Sequence, residues 1–169
     1  FNRVIHMSPE IIFATQNKLG ECPVWHPLEH CLYWLDIFDQ KLYRYQTENN
    51  QISSVDLPYL TGCIAPHRQG GLIAGMGNTI VHLNPQTAEF TVITELFNKN
   101  ESRRINDGKC DPWGRFWAGT MAYDFSPGAG SLWRLNNDFS CSLQWQRLSI
   151  SNGLAWSLDR RRLLSLIHI

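Results

Sequence analysis

Polar side chains that could bind a metal recur along the chain at the spacing of a structural repeat. An apolar patch, a polar turn and an apolar strand occur four times, and the anchor residues of the four copies lie 41, 45 and 45 residues apart. These anchors are Trp25, Pro66, Asp111 and Trp156. The residues four positions before the anchors are Glu21, Gly62, Asp107 and Asn152. Three of these four carry side-chain oxygens, the ligands of hard divalent cations, so the sequence predicts a metal site built from equivalent repeat positions.

The length and content of the repeat predict the elements that position these residues. A period of about 40–50 residues with short strands and turns is typical of four-stranded β-propeller blades. Residues 41–45 and 51–57 alternate with period two, as half-buried strands do, and no segment has the pattern of an amphipathic helix. We therefore predict an all-β propeller whose candidate residues lie at strand entrances near the central channel. We expect the seven tryptophans to fill the wedges between blades.

Composition and charge exclude several classes of function. The 169 residues are 43% hydrophobic and 18% charged, which is typical of a globular domain. Fifteen basic residues balance fifteen acidic ones, so the chain lacks the basic surface that nucleic-acid binding requires. No apolar run reaches the roughly 18 residues of a membrane span. We expect neither a nucleic-acid partner nor a membrane partner.

The five cysteines favour free thiols over a disulfide framework. Their number is odd and no CxxC pair is present, which fits a reducing, cytoplasmic environment. Cys22 follows Glu21 directly and is an alternative, soft metal ligand. Its oxygen-bearing neighbours favour a harder cation instead.

Three segments near the repeat anchors resemble a known family. They read LGECPVWHP at residues 19–27, RINDGKCDPWGRFWAGTM at residues 104–121 and SNGLAWSLD at residues 151–159. Together they resemble the senescence-marker-protein/gluconolactonase family, the regucalcin-like lactonases, over about residues 11–160. The resemblance implies a six-bladed β-propeller with one divalent cation (Ca²⁺, Zn²⁺, Mn²⁺ or Mg²⁺) at its centre. It also implies hydrolysis of a small-molecule sugar lactone, such as gluconolactone or arabinonolactone, to an aldonic acid.

The resemblance assigns roles to individual residues. It implies that Glu21 and Asn152 are metal ligands and that Arg104 and Asn106 hold the lactone. Asp124 stands where many members have a substrate-binding Glu, so the resemblance implies a substrate contact through a side chain one methylene shorter. The repeat alignment instead favours Asp107, the neighbour of Asn106. We follow the resemblance and leave Asp107 as an outer acid or a turn residue.

The length of the chain bears on its expected activity. At about 43 residues per blade, 169 residues form fewer than four blades, so we expect residues 1–163 to be the N-terminal part of a propeller. In the family the general base is a metal-ligating Asp of the fifth blade, which would lie beyond this chain. We therefore predict no catalytic residue within the chain and no activity for this fragment, and we expect its open strand edges to favour aggregation.

Three other functions fit parts of the pattern. A non-catalytic, calcium-binding propeller would use the same metal ligands but would not need Arg104 and Asn106 as a substrate clamp. Another metal-dependent propeller hydrolase would keep both sets of residues. An extracellular scaffold is suggested by residues 32–36, LYWLD, which are similar to the repeat of receptor propellers but occur only once.

The last six residues favour an origin outside the gene. Residues 164–169 read LSLIHI, which is what the end of a transposase-based sequencing adapter encodes. The alternative is a genuine apolar strand. We predict that resequencing the genomic locus will show a different sequence after residue 163. A native gene that encodes these six residues and then a stop codon would contradict this prediction.

Overall fold

The computed structural model describes residues 10–168, which form fourteen β-strands and no helix, so the predicted all-β class is confirmed. No segment of these residues is a helix long and apolar enough to cross a membrane. The strands are β1 (Gly20–His26), β2 (Cys31–Asp36), β3 (Lys41–Gln46), β4 (Gln51–Asp56), β5 (Thr61–Pro66), β6 (Leu72–Met76), β7 (Thr79–Leu83), β8 (Phe90–Glu95), β9 (Arg103–Cys110), β10 (Phe116–Ala122), β11 (Gly130–Leu135), β12 (Cys141–Leu148), β13 (Ile150–Trp156) and β14 (Leu163–His168).

The strands form propeller blades in chain order. Blade 1 is β1–β4, blade 2 is β5–β8 and blade 3 is β9–β12, each an antiparallel meander. Strands β13 and β14 pair as the start of a fourth blade, and one pair, Met121 with Ile150, joins β13 to β10 of blade 3. The first strands of the blades, which we call the inner strands, pack side by side in the order β1, β5, β9, β13.

Apolar side chains, most of them aliphatic, fill the wedges between successive blades. Tyr33 and Leu72 are fully buried between blades 1 and 2. Ile80 and Ile105 are fully buried between blades 2 and 3. Leu132 lies in the wedge between blade 3 and β13. Burial of such surface contributes about 25 cal/mol per Å² and holds each blade to the next.

The prediction that tryptophans fill these wedges is wrong for three of the seven. Trp25, Trp113 and Trp145 remain 48%, 49% and 55% exposed. They lie at the end of β1, in the turn before β10 and on β12, the outermost strand of blade 3. Trp117 on β10 is buried as predicted, and its indole N–H donates to Asp111.

Every inner strand contains a β-bulge close to its candidate residue. The extra residues lie at Cys22 and Pro23 in β1, Gly62 in β5, Asn106 in β9 and Gly153 in β13. Cys22 and Gly153 have positive φ values of 52° and 56°. A bulge releases backbone groups from the ladder and re-aims neighbouring side chains, and bulges are common beside active sites. The repeat in sequence is therefore also a repeat of backbone irregularity.

Gly62 allows β5 and β9 to approach closely. A Cβ atom at this position would lie 2.6 Å from the Asn106 carbonyl oxygen and would also clash with the Ile105 carbonyl oxygen. Both obstacles are backbone atoms, which cannot rotate away. This contact explains why the second repeat carries no oxygen donor where the others have one.

Gly62→Ala is expected to lower the free energy of unfolding by about 1–3 kcal/mol, because the added methyl group forces β5 away from β9. Urea denaturation followed by tryptophan fluorescence measures the change. Gly20→Ala is the matched control, since its Cβ would meet only the Asn17 side chain at 3.3 Å. Equal losses in the two variants would contradict this interpretation.

A buried carboxylate fixes the turn between β9 and β10. Asp111 accepts hydrogen bonds from the backbone N–H groups of Trp113 and Arg115 at 2.9 and 3.0 Å, from Arg115 Nε at 2.6 Å and from Trp117 Nε1 at 2.9 Å. Burial alone would raise the pKa of Asp111, but these hydrogen bonds to the charged form outweigh it and lower the pKa.

Asp111→Ala is expected to lower the free energy of unfolding at neutral pH by about 3 kcal/mol, because its donors lose a charged partner. A lowered folded-state pKa gives stability that is fully present above the unfolded pKa of about 3.9 and is lost as pH falls through the folded value. The difference between wild type and variant should therefore shrink in acid. Urea titrations at neutral and acidic pH measure it, and Asp138→Ala, an exposed turn carboxylate bonded to Ser140, is the control.

Candidate functional site

The inner strands bring the candidate residues to one end of the propeller. Glu21 lies on β1, Arg104 and Asn106 lie on β9, and Asn152 lies on β13. All four precede or adjoin a bulge in the first half of their strand. Antiparallel pairing of Met121 with Arg104 places the loop that carries Asp124 at the same end of blade 3.

Arg104 is the buried charge of this end. Arg104 is only 5% exposed, and its Nη1 donates to the Ile105 carbonyl oxygen at 3.1 Å. Burial lowers the pKa of the Arg104 guanidinium, and interactions with Tyr123 and Glu21 oppose this shift. Glu21 lies on β1, two inner strands away from Arg104 on β9.

Glu21 and Asn152 offer exposed oxygen ligands. Both side chains belong to exposed residues, and Glu21 forms no ion pair within residues 10–168. The Asn152 Oδ1 accepts the Gly153 N–H at 3.0 Å and has a second lone pair. One carboxylate and one amide oxygen suit a hard divalent cation with water at the remaining positions. No group of three or more His, Cys, Asp or Glu side chains able to hold a metal occurs in the part of the chain that the structure describes.

Asn106 and Asp107 link blade 3 to β13. Asn106 Nδ2 donates to the Ser151 carbonyl oxygen at 3.0 Å. Asp107 Oδ2 accepts the Gly153 N–H at 2.7 Å, and Oδ1 accepts the Gly108 N–H at 2.7 Å. The two neighbouring side chains therefore take on a structural task that sequence reasoning did not foresee, although the Asn152-Gly153 dipeptide was a signal for a bulge.

Cys22 links β1 to β5 through its thiol. Its Sγ lies 3.2 Å from the Ile64 nitrogen and 3.5 Å from the Ile64 oxygen, so it bonds both backbone groups. Burial raises the pKa of Cys22 to about 12, which keeps the thiol protonated at neutral pH. These contacts support the choice of oxygen ligands over Cys22. All five cysteines are free, as predicted.

Asp124 occupies an exposed turn beyond β10. Its carboxylate accepts the backbone N–H of Ser126 at 3.0 Å and the Ser126 hydroxyl at 2.7 Å. The bond from the Ser126 hydroxyl lowers the pKa of Asp124 most, and the bond from the Ser126 N–H lowers it further. Within residues 10–168 the carboxylate bonds to no other candidate residue, so a contact with substrate stays a prediction.

Known proteins are similar to this chain in sequence and in fold. Residues 19–166 match the family model of the SMP-30/Gluconolactonase/LRE-like region. The chain is 36% identical to regucalcin of Danio rerio over 90% of this chain and 52% of that protein. It is 37% identical to 6-deoxy-6-sulfogluconolactonase of Pseudomonas putida over 84% of this chain and 49% of that protein.

A solved structure has the same blade arrangement. The calcium-binding protein regucalcin of Agrobacterium tumefaciens superposes with a TM-score of 0.82 and 22% identity, over 92% of this chain and 56% of that one. The chain spans about half the length of the curated relatives it matches. From the extent of the family match, the chain belongs to the SMP-30/gluconolactonase/LRE-like family.

Proposed function

We propose that the full-length protein to which this chain belongs is a metal-dependent hydrolase of sugar lactones, with gluconolactone and arabinonolactone as candidate substrates. The observation that carries the proposal is a buried Arg104 on β9 at the same end of the propeller as the exposed Glu21 carboxylate on β1. A cation site alone has no need of a buried guanidinium beside it. The similarity to a protein named 6-deoxy-6-sulfogluconolactonase supports the same reaction class.

Glu21 and Asn152 would hold the cation, which we propose to be Ca²⁺, Zn²⁺, Mn²⁺ or Mg²⁺. When bound, a divalent cation polarises a carbonyl oxygen and lowers the pKa of a bound water molecule. The exposed oxygens of these residues fit this task, because they need no side chain to move away first.

Arg104 and Asn106 would orient the lactone. The planar guanidinium offers several N–H donors in a fixed arrangement, and only its Nη1 bond to Ile105 occupies it within the described residues. Asn106 Nδ2 uses one hydrogen on the Ser151 carbonyl oxygen, so its second N–H is the one available to a lactone oxygen. Asp124, at the same end of blade 3, would contact the substrate hydroxyl groups from the rim.

A general base must still take a proton from the attacking water. We propose that an Asp on a later blade supplies it and that the 169-residue chain alone is inactive. A cytoplasmic location is part of the same proposal and is supported by the five free thiols.

Glu21→Gln in the full-length protein is expected to abolish lactone hydrolysis, because a neutral amide binds a divalent cation far more weakly than a carboxylate does. Acid release from a panel of aldonolactones, with and without chelator, measures it. Glu48→Gln, in an exposed turn of blade 1, is the matched control and should keep full activity. Turnover by the isolated 169-residue chain would refute the claim that this chain is inactive.

Arg104→Met is expected to reduce turnover by about 100-fold while leaving metal binding intact, because the lactone loses its orienting donors. Lactone hydrolysis and calorimetric metal titration of the same variant test this expectation. Metal binding by a wild-type protein that hydrolyses no lactone would instead support the non-catalytic, calcium-binding propeller.

A further inference from the structure

The bulge in β13 leaves the backbone beside Asn152 without its usual partners. Gly153 follows Asn152, and its N–H donates to side chains instead of to the backbone of a neighbouring strand. Its φ of 56° turns the peptide out of the ladder. An unpaired N–H at this position requires another acceptor.

Two neighbouring side chains of blade 3 hold the peptide groups on both sides of Asn152. Asn106 Nδ2 binds the carbonyl oxygen of Ser151, which precedes Asn152, and Asp107 Oδ2 binds the N–H of Gly153, which follows it. Both contacts cross from β9 to β13 over 45 and 46 residues of sequence. The bond to the carboxylate, 2.7 Å long, is of the strong, charge-assisted kind.

We propose that Asp107 is a positioning residue that fixes the Asn152 side chain by holding the Gly153 N–H. This inference rests on the proposed function in so far as Asn152 is a metal ligand. The Gly153 N–H also lies 3.0 Å from Asn152 Oδ1, so the position of this N–H sets the orientation of the ligand amide. Without Asp107, the bulged peptide and the Asn152 side chain would lose their common anchor.

The same contact protects Asn152 chemically. In an Asn-Gly sequence the glycine nitrogen can lose its proton and attack the asparagine Cγ, forming the new C–N bond of a succinimide as ammonia leaves. Water then opens the ring to aspartate or isoaspartate. Asp107 opposes this reaction because it holds the Gly153 N–H proton and fixes the peptide. The rate of Asn152 deamidation therefore reports on the hydrogen bond between Asp107 and Gly153, and it can be measured without lactone hydrolysis.

Asp107→Ala in the full-length protein is expected to accelerate deamidation of Asn152 about tenfold or more, because Gly153 loses a hydrogen bond to a charged group. Peptide mapping by mass spectrometry after incubation in mildly alkaline buffer gives the rate. The alanine variant is preferred to Asp107→Asn, which would create a second Asn-Gly sequence with Gly108. Asp138→Ala is the control, because the Asp138 carboxylate accepts the backbone N–H of Ser140 in its own turn and reaches no other strand among the described residues.

Amide hydrogen exchange at Gly153 supplies an independent readout. Exchange should accelerate in Asp107→Ala and remain unchanged in Asp138→Ala, with the two proteins compared at the same folded fraction. If Asp107→Ala does not fold, Asp107→Ser provides an uncharged acceptor and is expected to give an intermediate rate. Unchanged deamidation and exchange in a folded Asp107 variant would overturn the proposal.

Metal affinity separates this inference from the proposed function. In the full-length protein, calorimetric titration with Ca²⁺, Mn²⁺ or Zn²⁺ alone should show affinity about tenfold lower for Asp107→Ala and unchanged for Asp138→Ala. If the wild type binds none of these ions, the proposed function fails. The deamidation and exchange rates still decide whether Asp107 holds the Gly153 N–H.

Discussion

The close approach of neighbouring inner strands is the constraint on which the candidate site depends. A different contact joins the inner strands at each bulge. The Cys22 thiol of β1 bonds the Ile64 backbone of β5, and Gly62 of β5 lets the β9 backbone approach because it has no side chain. Asn106 and Asp107 of β9 bond the backbone of β13. At β13 the N–H of Gly153 leaves its own ladder, and the Asp107 side chain of the adjacent blade accepts it. The bulge that exposes a candidate side chain is thus also the point at which the blades are joined.

Aspartates in this chain perform two different tasks. Asp111, Asp124 and Asp138 bond donors within six residues of themselves and stabilise turns. Asp107 bonds Gly153, which lies 46 residues further along the chain. The same residue type therefore stabilises local turns and also links separate blades.

Burial outweighs the nearby acidic groups in setting the pKa of Arg104. Its guanidinium loses solvation on β9, which lowers the pKa, and Glu21 on β1 opposes this shift. A cation bound at Glu21 would compete for the same carboxylate, so metal binding and the electrostatic environment of Arg104 are coupled through one side chain.

The sequence by itself determined the fold class, the repeat and most strands, because period-two alternation and turn residues are local properties. The strands predicted at residues 41–45 and 51–57, for example, are observed as β3 (Lys41–Gln46) and β4 (Gln51–Asp56). The motifs around Glu21, Arg104 and Asn152 also indicated the family, which the family match confirmed. The half-exposed tryptophans were missed because exposure depends on which side of a blade has a neighbour. Tertiary structure alone decided that Gly62 must lack a side chain and that Asp107 reaches Gly153, since these contacts join strands over 40 residues apart in the chain.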